Sequence, residues 1–169
     1  MFRTHPNFKK LLIKLLVNIN LTNKTAIVCG STQGIGKAIA IELATAGANI
    51  ILISRNEESL RNVLRDLPAT KKQNHNFIVA DFSDPEELRK KLKNFTSENP
   101  PVHILVNNTG GPNPGPAISA DTSEFVKAFS NHLICNQILV QAVAEGMKNE
   151  KYGRIINICS TRYLMSEPG

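Results

Sequence analysis

Five short, nearly unbroken apolar runs limit what this chain can become. They occupy residues 25–30, 48–54, 76–81, 102–107 and 154–159, and the segments between them carry helical periodicity. Runs of that length without polar alternation are the pattern of strands covered on both faces. A helix between each successive pair returns the chain to a parallel neighbour. The order of elements therefore predicts an α/β fold: a doubly wound parallel sheet of five strands.

The intervening segments carry their own punctuation. Residues 35–46 read as a helix with Ile35, Ala38, Ile39 and Leu43 on one face, and Gly47 stands where it stops. Asn56 caps a second helix whose buried face is Leu60, Val63, Leu64 and Leu67, with Pro68 ending it. Asp84-Pro85-Glu86-Glu87 opens a third, leading to Leu88, Leu92 and Phe95. After a proline- and glycine-rich loop over residues 109–120, Asp121 and Glu124 form a capping box for a long helix ending near Lys148.

A formal charge of +6 over 169 residues resembles a nucleic-acid signal until it is located. Residues 1–24 hold Arg3, Lys9, Lys10, Lys14 and Lys24 and no acid, leaving 15 basic and 14 acidic side chains in the other 145 residues. A nearly neutral body gives a phosphate backbone little to hold, which argues against nucleic acid as a partner. In residues 1–20, Phe8, Leu11, Leu12, Leu15 and Leu16 recur at helical spacing among lysines, a short basic amphipathic leader of the kind that can lie on a membrane surface. Lys14 breaks the apolar run and no small-residue cleavage site follows, so an appended segment without a targeting role is preferred. Residues 21–169 form the ordered domain on this reading. Cys29, Cys135 and Cys159 are few, odd in number and widely spaced, which favours reduced thiols in the cytoplasm. His132 and Cys135 lack a second pair of ligands, so no metal site is expected.

The first strand–helix junction reads Gly30-Ser31-Thr32-Gln33-Gly34-Ile35-Gly36. Glycines permit a sharp turn and close approach of a ligand, and the amides that open the helix offer a seat for a pyrophosphate. Bare glycine spacings are weak signals, but this one sits where a βαβ unit binds a dinucleotide. The residue past the second strand meets the adenosine ribose in such units; Arg55 stands there instead of an acid, which selects the 2′-phosphate of NADP(H). Asp81 closes the third strand, placed either to accept from the adenine amino group or to organise the turn into Asp84.

With these residues in hand, the chain resembles the short-chain dehydrogenase/reductase family, and within it the 3-oxoacyl-(acyl-carrier-protein) reductase-like members. The resemblance runs through the glycine turn, Ser54-Arg55-Asn56, Ala80-Asp81-Phe82, Leu105-Val106-Asn107-Asn108-Thr109-Gly110 and the stretch from Gly153 to Ser160. It implies a Rossmann-like fold and reduction of a carbonyl, in a small molecule or an acyl thioester, by hydride from NADPH. It adds Phe82, Asn108, Thr109 and Gly110 to the cofactor-binding residues. It also implies a serine that hydrogen-bonds the carbonyl oxygen, matched by Ser160, and a homo-oligomeric full-length protein. Fixed donors at the oxygen that gains charge are sound chemistry for such a step.

Three departures stand out against that resemblance. The family's Tyr-x-x-x-Lys is not present: Tyr152 is followed four places on by Ile156, and Tyr163 by Glu167. In the family that tyrosine falls about a dozen residues after the serine, so the chain is expected to be a truncated copy, inactive by itself, with an incomplete sheet. A non-catalytic dinucleotide-binding remnant or regulator is the alternative. His132 stands where the family's long helix carries an asparagine, and is a candidate to hold a relay water in its place. Thr109 stands in Asn107-Asn108-Thr109-Gly110 where the family pattern is Asn-Asn-Ala-Gly.

Overall fold

The computed structural model describes residues 19–111 and 117–159; residues 1–18 of the expected leader, Ser160 and Tyr163 lie outside the described residues. The strands are β1 (Thr25–Cys29), β2 (Asn49–Ser54), β3 (Asn76–Val79), β4 (Ile104–Asn107) and β5 (Arg154–Asn157). All pair in parallel in the order β3-β2-β1-β4-β5. From β1 the chain winds outward through β2 and β3, then returns to the other side of β1 for β4 and β5. That reversal opens a crevice at the carboxyl ends of β1 and β4, where open sheets of this kind bind ligands.

Between the strands run α1 (Gly34–Thr45), α2 (Glu57–Asp66), α3 (Pro85–Glu98), α4 (Thr122–Phe129) and α5 (Cys135–Asn149). Alternation along β1 shows how the sheet feeds two cores. Ile27 and Cys29 face one side with Leu88, Leu92, Leu105 and Leu139, under α3 and α5. Ala26 and Val28 face the other with Leu52, Leu60, Val63 and Val106, under α1 and α2. Burying one such aliphatic side chain stabilises the fold by about 1.5–3 kcal/mol relative to leaving it in water. Leu21 is buried before β1, and its N–H donates to the carbonyl of Ala46.

Helix α1 meets the sheet on a face shifted from the expected one, with Ile39 and Leu43 still packed on the core. Its buried residues are Gly36, Ala40 and Ala44, while Ile35 is exposed and Ile39 and Leu43 are half-buried. Small side chains let the helix lie close on β1 and β2, and the bulkier residues are displaced to its flanks. Gly47, at φ +105°, ends it as expected, with N–H groups of Gly47 and Ala48 donating to the carbonyls of Ala44 and Leu43.

The long fourth helix runs from Thr122 to Asn149 with one irregularity. Between α4 and α5 the chain makes a π-helical turn over Ser130–Ile134, where the N–H of Cys135 donates five residues back to Ser130. Such turns insert one residue per turn and re-aim the side chains that follow.

Two imidazoles seal the amino-terminal edge of the sheet. The N–H of Thr25 donates to His103 Nδ1 at 3.0 Å, and the N–H of Ile50 donates to His75 Nδ1 at 3.1 Å. Both rings must therefore keep Nδ1 bare.

Candidate functional site

At the opposite edge the carboxyl ends of β1, β2, β3 and β4 surround a cleft of about 700 Å³, a volume in the range of cofactor sites. Each strand delivers one group of residues to its wall. The turn after β1 supplies Gly30, Thr32, Gln33, Gly34 and Ile35, and β2 supplies Ile53, Ser54 and Arg55. Ala80, Asp81 and Phe82 follow β3, and Asn108 to Gly111 follow β4. Across from them α4 and the π turn add Glu124, Lys127, Asn131 and His132.

The glycines divide into two roles. A Cβ at Gly36 would stand 2.2 Å from the carbonyl oxygen of Gly30, and one at Gly30 would stand 2.5 Å from that of Asn108. These two residues pack the turn against itself. Gly34 alone, at φ +54°, would direct a Cβ into open space. Gly30 and Gly34 line the cleft, and Gly36 lies behind that wall. Ser31 does too: it is fully buried, with its hydroxyl 3.4 Å from the carbonyl of Ile53, and ties the turn to β2. Asn108 clamps the other side, its side-chain amide donating to the carbonyls of Cys29 and Gly30, both at 3.3 Å.

Helix α1 opens onto this cleft without a side-chain cap and without an acid in its first turn. Its counterparts are sealed: Asn56 caps α2 ahead of Glu57 and Glu58, Asp84 caps α3 ahead of Glu86 and Glu87, and Asp121 caps α4 ahead of Glu124. An uncapped helix start leaves its amides and the positive end of its dipole for an anion. With Gly34 in front and no side chain in the way, the turn fits a pyrophosphate.

Arg55 and Asp81 flank the β2–β3 end. The Asp81 carboxylate accepts the N–H of Ser83 at 2.9 Å, so it does organise the turn into α3 while still facing the cleft. That backbone bond holds its pKa below the usual carboxylate value; burial opposes, and the Ser83 hydroxyl, Arg55 and Lys127 add to the lowering. Phe82 lends its carbonyl to Cys135 Sγ at 3.2 Å and packs its side chain on the core beneath. Thr109 and His132 meet across the β4 end, Oγ1 to Nδ1, at 2.7 Å.

Glu124, Lys127 and Asn131 were not among the expected site residues. The signal was available in their spacing, since residues three, four and seven apart share a helix face and this polar stripe leads to His132. Asn131 Oδ1 is buried in the wall with no partner among the described residues, a polar atom that a ligand can satisfy. No group of three or more metal-binding side chains occurs among the described residues.

Comparison with known proteins agrees with this geometry. Residues 24–169 match the model of the short chain dehydrogenase family. The chain is 41% identical over 137 residues to the human "Inactive hydroxysteroid dehydrogenase-like protein 1", covering 80% of this chain and 41% of that protein. It is 34% identical over 154 residues to the 3-oxoacyl-(acyl-carrier-protein) reductase FabG of Rickettsia felis, covering 89% of this chain and 59% of that one. The chain thus spans roughly half the length of these curated relatives. Among solved structures, a metagenomic short-chain oxidoreductase in complex with NADP superposes with a TM-score of 0.74 at 31% identity, over 83% of this chain and 63% of that one. A gluconate 5-dehydrogenase from Burkholderia cenocepacia, in complex with NADP and tartrate, gives 0.78 at 29% identity, over 91% and 60%.

Proposed function

Because the chain belongs to the short chain dehydrogenase family, we propose that its cleft holds NADP(H) and serves the reduction of a carbonyl, of the 3-oxoacyl-thioester kind, to an alcohol by hydride transfer. The observation that carries the cofactor half of this reading is the open start of α1. It is bare of cap and acid while α2, α3 and α4 are sealed, and it faces the cleft across Gly34.

Around that seat the roles follow from chemistry. The amides at the start of α1 bind the pyrophosphate, and Arg55 binds the 2′-phosphate of the adenosine ribose, a charge-assisted contact. Asp81 accepts from the adenine amino group. Bound NADPH supplies the hydride. Ser160 is proposed to donate to the carbonyl oxygen and His132 to hold a water beside it. The same reading takes the protein as cytoplasmic and its full-length form as a homo-oligomer; among the described residues no helix is long and apolar enough to cross a membrane.

One observation favours a second reading, a protein that binds NADP(H) without turnover. A relative 41% identical bears the name inactive. The two readings share the cofactor and differ in chemistry, so one set of measurements separates them. Fluorescence titration of the 169-residue chain is expected to show NADPH bound more tightly than NADH. Arg55→Glu is expected to lower NADPH affinity by about 10- to 100-fold, the worth of a hydrogen bond to a charged group. Absence of binding to either coenzyme overturns both readings. Oxidation of NADPH by an acetoacetyl thioester would support the first reading alone, and binding without oxidation the second for this chain.

A further inference from the structure

The two positions at which the cleft departs from the family pattern, Thr109 and His132, are 23 residues apart in the chain and touch each other. Thr109 Oγ1 lies 2.7 Å from His132 Nδ1, both side chains are half-buried, and both line the cleft. They reach it from different elements, Thr109 from the loop after β4 and His132 from the π turn, whose extra residue re-aims the ring.

We propose that Thr109 and His132 form one matched unit, in which the threonine hydroxyl is a positioning residue that fixes the imidazole at the end of the cleft across β1 from Arg55. The chemistry is specific to this pair. A hydroxyl can donate to Nδ1 or accept from it, and in the neutral ring Nε2 is left with the same role as the hydroxyl. Nε2 has no partner among the described residues and is the ring nitrogen left for a ligand. With alanine at 109 the ring loses its anchor and Nδ1 loses its partner. With phenylalanine at 132 the ring keeps its shape but carries no nitrogen, and the Thr109 hydroxyl is left unpaired. Loss of either partner is thus costly alone and is offset when both are removed.

A double-mutant cycle reads this coupling. The binding arm rests on the cleft being the NADP(H) site; the other arms do not. Thr109→Ala and His132→Phe are each expected to weaken NADPH binding about fivefold, the worth of one neutral hydrogen bond. The double variant is expected to return within about twofold of the original chain, because neither orphaned group remains. Thr109→Ser keeps the hydroxyl and should retain the affinity. In 15N spectra at pH 8, His132 should show one bare and one protonated nitrogen in the original chain and in Thr109→Ser, and averaged signals in Thr109→Ala. Losses that simply add in the double variant, or His132 signals unmoved by Thr109→Ala, overturn the proposal. If the original chain binds no NADPH, the cofactor reading fails, while the 15N signals and the same cycle run on melting temperature still decide the pair.

Discussion

Strands β1 and β5 both belong to apolar runs of the sequence and live in opposite surroundings. The sequence Thr25–Cys29 is buried at every residue; Arg154–Asn157 is exposed at every residue, with Ile155 at 42% and Ile156 at 44%. The difference lies in neighbours. β1 has β2 on one side, β4 on the other and helices on both faces, whereas among the described residues β5 pairs only with β4. An apolar run declares a capacity for burial, and topology decides how much of that capacity is used.

The most direct way to break this comparison is to truncate one residue on each strand. Ile27→Ala removes a fully buried side chain from the core under α3 and α5 and is expected to cost about 2–5 kcal/mol in chemical denaturation. Ile155→Ala should cost less than about 1 kcal/mol, since much of its surface already meets water. Equal losses would mean that β5 is covered in solution.

A second test concerns the turn that β1 delivers. Gly36→Ala places a Cβ against the Gly30 carbonyl, where backbone must move, and should destabilise by about 1–3 kcal/mol and weaken NADPH binding at least tenfold. Asn157→Ala removes the acceptor of the Asn107 side-chain amide on β4 but lies outside the cleft; it should leave NADPH affinity within about twofold. Comparable losses of affinity would erase the functional distinction between the two regions.

The smallest effect is a change of slope with pH. Burial holds the pKa of His103 below its ordinary 6.5, with Lys24 adding to the lowering and Glu150 opposing it. The unfolded chain then binds more protons just below pH 6.5, so this contribution to stability is complete above that pH and is lost as pH falls toward the folded-state value. His103→Asn keeps an acceptor for the Thr25 N–H without titrating. Melting temperature followed below pH 6.5 should fall less steeply in that variant.

Much of this architecture was legible in the chain because its signals are local. Asn56, Asp84 and Asp121 announce three helices, and all three accept the backbone N–H groups expected of caps. Arg55 and Asp81 were found because strand ends in an open parallel sheet converge on its crevice. The misreadings share a different cause. Ile35 was assigned to the buried face of α1 by hydrophobicity, but the distance between helix and sheet is set by Gly36, Ala40 and Ala44. The π turn escaped because one inserted residue leaves no period to detect. The Thr109–His132 contact joins elements far apart in sequence, so neither residue announces the other.

The burial of the thiols divides the cysteines sharply. Cys29 is sealed in the core and pushed far above its ordinary value, and burial raises Cys135 to about 11; Cys159, just past β5, is exposed. A maleimide dye added at neutral pH would therefore attach at one place, beside the open flank of the sheet. Its emission would report whatever comes to rest against that flank.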